Sequence, residues 1–194
     1  MPALQGAIVT ERSRILGRIR LAGLYVFVIA LVIMSRPSPA SFAVGAAAVA
    51  LGEMVRMWDA GHLVKSVRLV TSGPYARTQC PLYLGRLLIL TGLGLAAHHD
   101  TYVNLVALAI GYAIFFFYYM PRKVRIEGAR LTKIHGDSYE RYSRSVPVLF
   151  PSLTRYPGDR SSWSFRQMVR NQEPLVLLGL LVTLSFLYWK MTRG

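Results

Sequence analysis

The chain has 194 residues, of which 53% are hydrophobic and only 16% charged. Soluble domains average about a quarter charged residues, and here the apolar residues fall in runs near the ~20 residues that cross a bilayer. The formal charge of +14 would suggest nucleic acid in a soluble protein, but the basic residues flank apolar runs and meet anionic headgroups instead. One cysteine excludes an intramolecular disulfide, and the four histidines form no metal-ligand spacing.

Residues 1–18 form a basic lead, and Arg20 to Met34 reads as a first span ended by Arg36-Pro37-Ser38-Pro39. No clean small-x-small cleavage site succeeds it, so a signal peptide is disfavoured. Ala40 to Trp58 is a second span, whose Ala and Gly residues permit close helix approach. Asp59 to Cys80 is turn-rich and cannot span. Pro81 to Ala97 makes the third span, His98-His99-Asp100 a tight turn, and Tyr102 to Met120 the fourth. At Pro121 the composition turns polar and basic. Glu127 to Arg144 has helical periodicity, with Leu131, Ile134, Tyr139 and Tyr142 as candidate buried positions. Pro147, Pro151 and Pro157 then interrupt any regular element, and Pro174 to Met191 is the last span.

The implied fold class is an all-α integral membrane protein of about five transmembrane helices with its substantial polar segments on the cytoplasmic side; the resemblance set out below makes these a cytoplasmic cofactor-binding segment. The chain is a single domain, 1–194. Within it, 1–39 is the lead and first span, 40–153 the core, and 154–194 a linker and last span. Of the 23 Lys and Arg, 20 fall on one side of this arrangement. The positive-inside rule then puts the N-terminus in the cytoplasm and the C-terminus outside, in a bacterial inner membrane.

Two polar segments carry the candidate chemistry. The first runs Trp58-Asp59-Ala60-Gly61-His62, through Lys65, to Gly73-Pro74-Tyr75-Ala76-Arg77-Thr78-Gln79-Cys80-Pro81-Leu82-Tyr83-Leu84-Gly85. A helix starting at Pro81 offers N–H groups to a polar ligand. The same residues also read as an interfacial loop anchored by Trp58, Tyr75 and Tyr83. In the second segment Glu127 stands among Arg122, Lys123, Arg125 and Arg130. It either receives a ligand's ammonium group or neutralises a solvated basic face.

Together the segments resemble the isoprenylcysteine carboxyl methyltransferase family, in its bacterial branch related to the phospholipid N-methyltransferases. The matching residues are Gly73-Pro74-Tyr75, Pro81, Tyr83 and Gly85, then Glu127, Leu131, Gly136, Tyr139, Tyr142, Val146-Pro147 and Pro151. The resemblance covers roughly residues 50–153. It implies S-adenosylmethionine-dependent methyl transfer to a small or lipid-like apolar acceptor at the cytoplasmic face. By the same resemblance Tyr75, Gln79, Cys80, Pro81, Tyr83, Glu127, Tyr139 and Tyr142 would bind the cofactor. Glu127 and Arg77 would be catalytic, and Trp58, His62 and Lys65 would contact the acceptor, with no metal involved. Membrane lipids and a lipophilic methyl acceptor are the implied partners, and nucleic acid is not one. Gln79-Cys80 replaces the family's Arg-His or Arg-Asn pair, and Gly128 its second Glu. These departures leave a second reading, a non-catalytic or diverged membrane binding protein that keeps the methyltransferase fold.

Overall fold

A computed structural model describes residues 26, 29–63, 69–159 and 161–193. The described part of the first expected span, residues 29–34, is helical; the rest of that expectation lies outside the described residues.

Helix α1 spans Pro39–His62. The Ser38 hydroxyl accepts from the Ser41 amide, the Ser41 hydroxyl accepts from the Ser38 amide, and Pro39 occupies the first turn. These features together satisfy the orphan donors of a helix start. Helix α2, Pro81–Ala96, runs against α1 along a seam of small residues. A Cβ on Gly45 would lie 2.5 Å from the Gly92 carbonyl, and one on Gly52 2.7 Å from that of Gly85. The two backbones approach this closely because glycines on both helices leave the seam without side chains at these points.

The turn after α2 is as short as expected. Asn104 Nδ2 donates to the Gly94 carbonyl at 2.7 Å, tying α2 to the next helix. That helix, α3, is continuous over Val103–His135. The expectation of a span ending at Met120 and a separate helix from Glu127 is therefore corrected. Pro121 does not stop the helix. A π-helical turn at Phe115–Tyr119 widens the backbone just before it. The wider turn accommodates a proline ring that would otherwise clash one turn back. Val106, Ile110, Ile114 and Phe117 form an exposed apolar stripe at helical spacing, the kind of surface that hydrocarbon covers.

Gly136, with φ +52°, ends α3. Helix α4, Asp137–Ser145, comes next, with Asp137 and Glu140 in its first turn, where the helix dipole favours acids. Its Tyr139 and Tyr142 pack with Val146, Leu69, Leu131 and Tyr156. Of the positions expected to be buried in this stretch, the two tyrosines are buried, Leu131 is half-buried and Ile134 is exposed. The proline-rich stretch beyond α4 is irregular and lies along the 69–80 loop. Amide-to-carbonyl bonds join Gln79 to Pro147 (2.9 Å), Ser152 to Arg77 (2.8 Å) and Tyr156 to Ala76 (2.8 Å). A short α5, Phe165–Arg170, leads to α6, Glu173–Arg193. Val49, Ile89 and Leu180 join α1, α2 and α6 in an apolar core.

The fold is thus all-α and helix-rich, without strands among the described residues. Among the described residues three helices, α1, α3 and α6, are long and apolar enough to cross a membrane. Helix α2 is apolar but has 16 residues, about 24 Å at 1.5 Å per residue. The expected count of five spans is thus met only in part.

Candidate functional site

The backbone bonds between the 69–80 loop and the proline-rich stretch fix the head of α2 beside α4. The polar end of α3 closes the other side, leaving a cavity of about 390 Å³. This lies in the range of small-molecule sites. Tyr75, Gln79, Cys80, Pro81, Tyr83, Glu127, Tyr139 and Tyr142 all line it. Residues from three separate stretches of sequence are thereby gathered around one space.

Their local roles differ. Gln79 spends its side-chain amide on the Val146 and Ser143 carbonyls, at 2.6 and 3.1 Å, and so holds the end of α4. Cys80 is the cap residue of α2, with its amide 3.4 Å from Thr78 Oγ1. Burial pushes its thiol up to about 11, against the opposing pull of the Lys123 ammonium. It is therefore a neutral thiol at pH 7. The Tyr142 hydroxyl donates to the Tyr75 carbonyl at 2.8 Å, and burial raises the pKa of Tyr142, Tyr139 and Tyr75. Tyr83 meets the Tyr119 ring edge-on, with centroids 5.7 Å apart.

Glu127 is half-buried and already carries two cations, Lys123 Nζ at 3.1 Å and Arg130 Nη1 at 3.7 Å. Lys123, one turn before Glu127, also lines the cavity; the sequence reading assigns it only to a basic face. The i,i+4 spacing of Lys123 and Glu127 is the signal that could have placed it there.

The remaining expected residues lie elsewhere. Arg77 turns to the Leu153 and Ser152 carbonyls, at 2.6 and 3.1 Å, and pins the proline-rich stretch rather than lining the cavity. Trp58 is exposed on α1. His62 is buried with its ring against Gly73. Neither lines the cavity, and Lys65 lies outside the described residues. Among the described residues no group of three His, Cys, Asp or Glu side chains is placed to hold a metal ion.

The fold and site define a helical membrane protein with a cavity beside the polar end of the 33-residue helix α3. Over 129 residues, 66% of its length, the chain is 33% identical to the cobalt-zinc-cadmium resistance protein CzcN of Cupriavidus metallidurans, covering 56% of that protein. Over 124 residues, 63% of its length, it is 31% identical to the nickel-cobalt-cadmium resistance protein NccN of Alcaligenes xylosoxydans xylosoxydans, covering 55% of it. The chain thus spans about half the length of the curated relatives it matches. No family model and no solved structure matches.

These findings correct the resemblance to the isoprenylcysteine carboxyl methyltransferase family. They equally correct the methyltransferase activity and the assignment as an enzyme that rested on it. The matched relatives carry the names of metal-resistance proteins. Several residues behind the resemblance have structural roles in this fold. Gly73-Pro74-Tyr75 makes a 3₁₀ turn and Pro81 begins α2. Gly85 belongs to the α1–α2 seam, and Gly136 terminates α3. Such residues report how a backbone turns and packs, and carry little information about chemistry.

Proposed function

We infer that the chain is a non-catalytic membrane protein of a metal-resistance system that binds an organic ligand in the cavity between α2, α3 and α4. The observation that carries this reading is the similarity to CzcN over 129 residues, 66% of the chain. The cavity supplies the binding function. Its tyrosine rings offer flat apolar faces, and Glu127 with Lys123 offers both signs of charge at its wall.

S-adenosylmethionine is a ligand the cavity suits in size and polarity. Glu127 would face its ammonium group and the tyrosines its adenine or sulfonium, with no methyl transfer. In this reading the protein sits in a bacterial inner membrane with five spans, its cavity on the cytoplasmic side and its C-terminus outside.

Deletion of the gene, with growth then measured in graded cobalt, zinc, cadmium and nickel, tests the resistance role. Tolerance to at least one metal should fall and return with the wild-type gene, but not with Cys80→Trp, which fills the cavity. Unchanged tolerance to all four metals would remove the role. Membranes incubated with methyl-labelled S-adenosylmethionine should transfer no label to lipid or protein. Transfer that depends on this chain would overturn the non-catalytic reading.

A further inference from the structure

The proline-rich stretch after α4 departs from the pattern of a solvated loop. Its Leu153 is 95% exposed and its Phe150 65%, whereas Leu149 is buried. Leu149 shares an apolar core with Leu87 of α2 and Met120 of α3, and Leu84, Tyr112 and Phe115 pack against that core. These partners belong to the apolar parts of their helices. Leu87 lies about 9 Å along α2 from Pro81 at 1.5 Å per residue. Phe115 precedes Arg122, the first basic residue of α3, by about 10 Å on the same count. Leu149 therefore sits below the polar boundary, beside the part of α3 that exposes Ile114 and Phe117.

The backbone of this stretch is satisfied from within the protein. Thr78 Oγ1 is shared between the Val148 and Leu149 carbonyls, at 3.1 and 3.0 Å. The Gln79 amide meets the Pro147 carbonyl, and Arg77 Nη1 holds those of Ser152 and Leu153. The Ser152 amide donates to the Arg77 carbonyl and the Thr154 amide to Ser152 Oγ. Pro147 and Pro151 have no amide hydrogen to leave unpaired. A loop in water has no need of so many internal partners. A segment in hydrocarbon must find them, because the lipid supplies none.

We propose that the Phe150–Leu153 segment is inserted in the bilayer, as a fixed wedge beside the polar end of α3. Phe150 and Leu153 lie among the glycerol groups and upper acyl chains of that leaflet, which cover the apolar surface that the protein leaves bare. Arg155 is exposed just beyond them, where its long side chain can reach back to the lipid phosphates. A soluble protein partner fits less well, since it would have to reach below the level of Arg122 to cover Phe150. The stretch that composition marks as polar thus contributes a lipid contact between the spans and the last helix.

Spin labelling of the full chain tests this, in a Cys80→Ser background and in nanodiscs of phosphatidylcholine and phosphatidylglycerol. Single nitroxides on Leu153→Cys and Phe150→Cys are compared with two references, Ile110→Cys on the lipid-facing stripe and Ser145→Cys at the exposed end of α4. Power saturation reads collisions with oxygen, which concentrates in lipid, against those with a neutral, water-soluble nickel chelate. The labels at positions 150 and 153 should favour oxygen, as the label at position 110 does and several-fold more than the one at position 145. A ratio at position 153 equal to that at position 145 would overturn the insertion. Protection from both reagents would overturn it as well, since protein rather than lipid would then cover the segment. The near-complete exposure of Leu153 keeps the test decisive if Phe150→Cys fails to fold.

Discussion

Cys80 shows how position decides the chemistry of a side chain. A thiol at a helix start would ordinarily be activated, yet burial outweighs Lys123 and lifts it to about 11. The thiolate fraction at pH 7 is then about one in ten thousand, rising tenfold per pH unit up to the pKa. Iodoacetamide labelling should therefore be very slow at pH 7 and accelerate steadily to pH 10. Fast labelling at neutral pH, read by mass spectrometry, would show the thiol to be activated instead. Cys80→Ser should keep ligand binding and metal tolerance, whereas Cys80→Trp should lose both in a protein that still folds. Glu127→Gln removes one charge from a half-exposed trio with Lys123 and Arg130. Such pairs contribute about 0–1 kcal/mol to stability, so the melting temperature should barely move. S-adenosylmethionine affinity, measured by calorimetry, should fall if Glu127 receives its ammonium group.

At the scale of elements, α3 matters most, because one continuous helix carries both a lipid-facing stripe and one wall of the cavity. Its end depends on Gly136, whose φ of +52° with ψ of −134° belongs to a region open almost solely to glycine. A Cβ there would meet nothing within 4 Å, so Gly136→Ala isolates backbone strain from crowding. It should cost about 1–3 kcal/mol, read as a lowered melting temperature. By contrast, a Cβ at Gly128 would meet only the Tyr139 hydroxyl, at 3.4 Å, and Gly128→Ala should be tolerated. An equal loss of stability in both variants would mean that the α3–α4 corner is not held by the Gly136 conformation.

For the whole molecule, the Arg56–Glu173 pair clamps α6 to α1 across 117 residues of sequence, with both side chains buried. Arg56→Ala leaves the buried Glu173 and Glu53 carboxylates without their cation and should destabilise by about 3–5 kcal/mol. Glu173→Ala leaves Arg56 beside Glu53 at 3.5 Å and should cost less. Replacing Arg56 and Glu173 together by apolar residues should recover part of the Arg56→Ala loss. Thermal denaturation of the single and double variants in one detergent decides this. A double variant no more stable than Arg56→Ala would show that the pair contributes through packing. Orientation is tested separately by reporter fusions after Gly194, which should report the exterior.

The sequence by itself determined that this is a helical membrane protein, because apolar run length and charge placement are local properties that a bilayer reads directly. It placed the last span within a residue or so at its start, since Pro174 suits only a helix's first turn. That Tyr75, Gln79, Cys80, Pro81, Tyr83, Glu127, Tyr139 and Tyr142 line one cavity was decided by the tertiary structure, which brings separate stretches of sequence together. The continuity of α3 was not legible, because the π turn that rescues the helix at Pro121 depends on backbone accommodation that no residue pattern announces. That Arg77 and His62 lie outside the α2–α3–α4 cavity was not legible for a related reason. A polar side chain near a motif has many possible partners, and only tertiary packing decides whether it meets a carbonyl, a glycine face or a ligand. Asp59 makes the same point in reverse. It reads as an ordinary loop acid, yet it lies in the last turn of α1, where packing withdraws it from the water that would have solvated its charge.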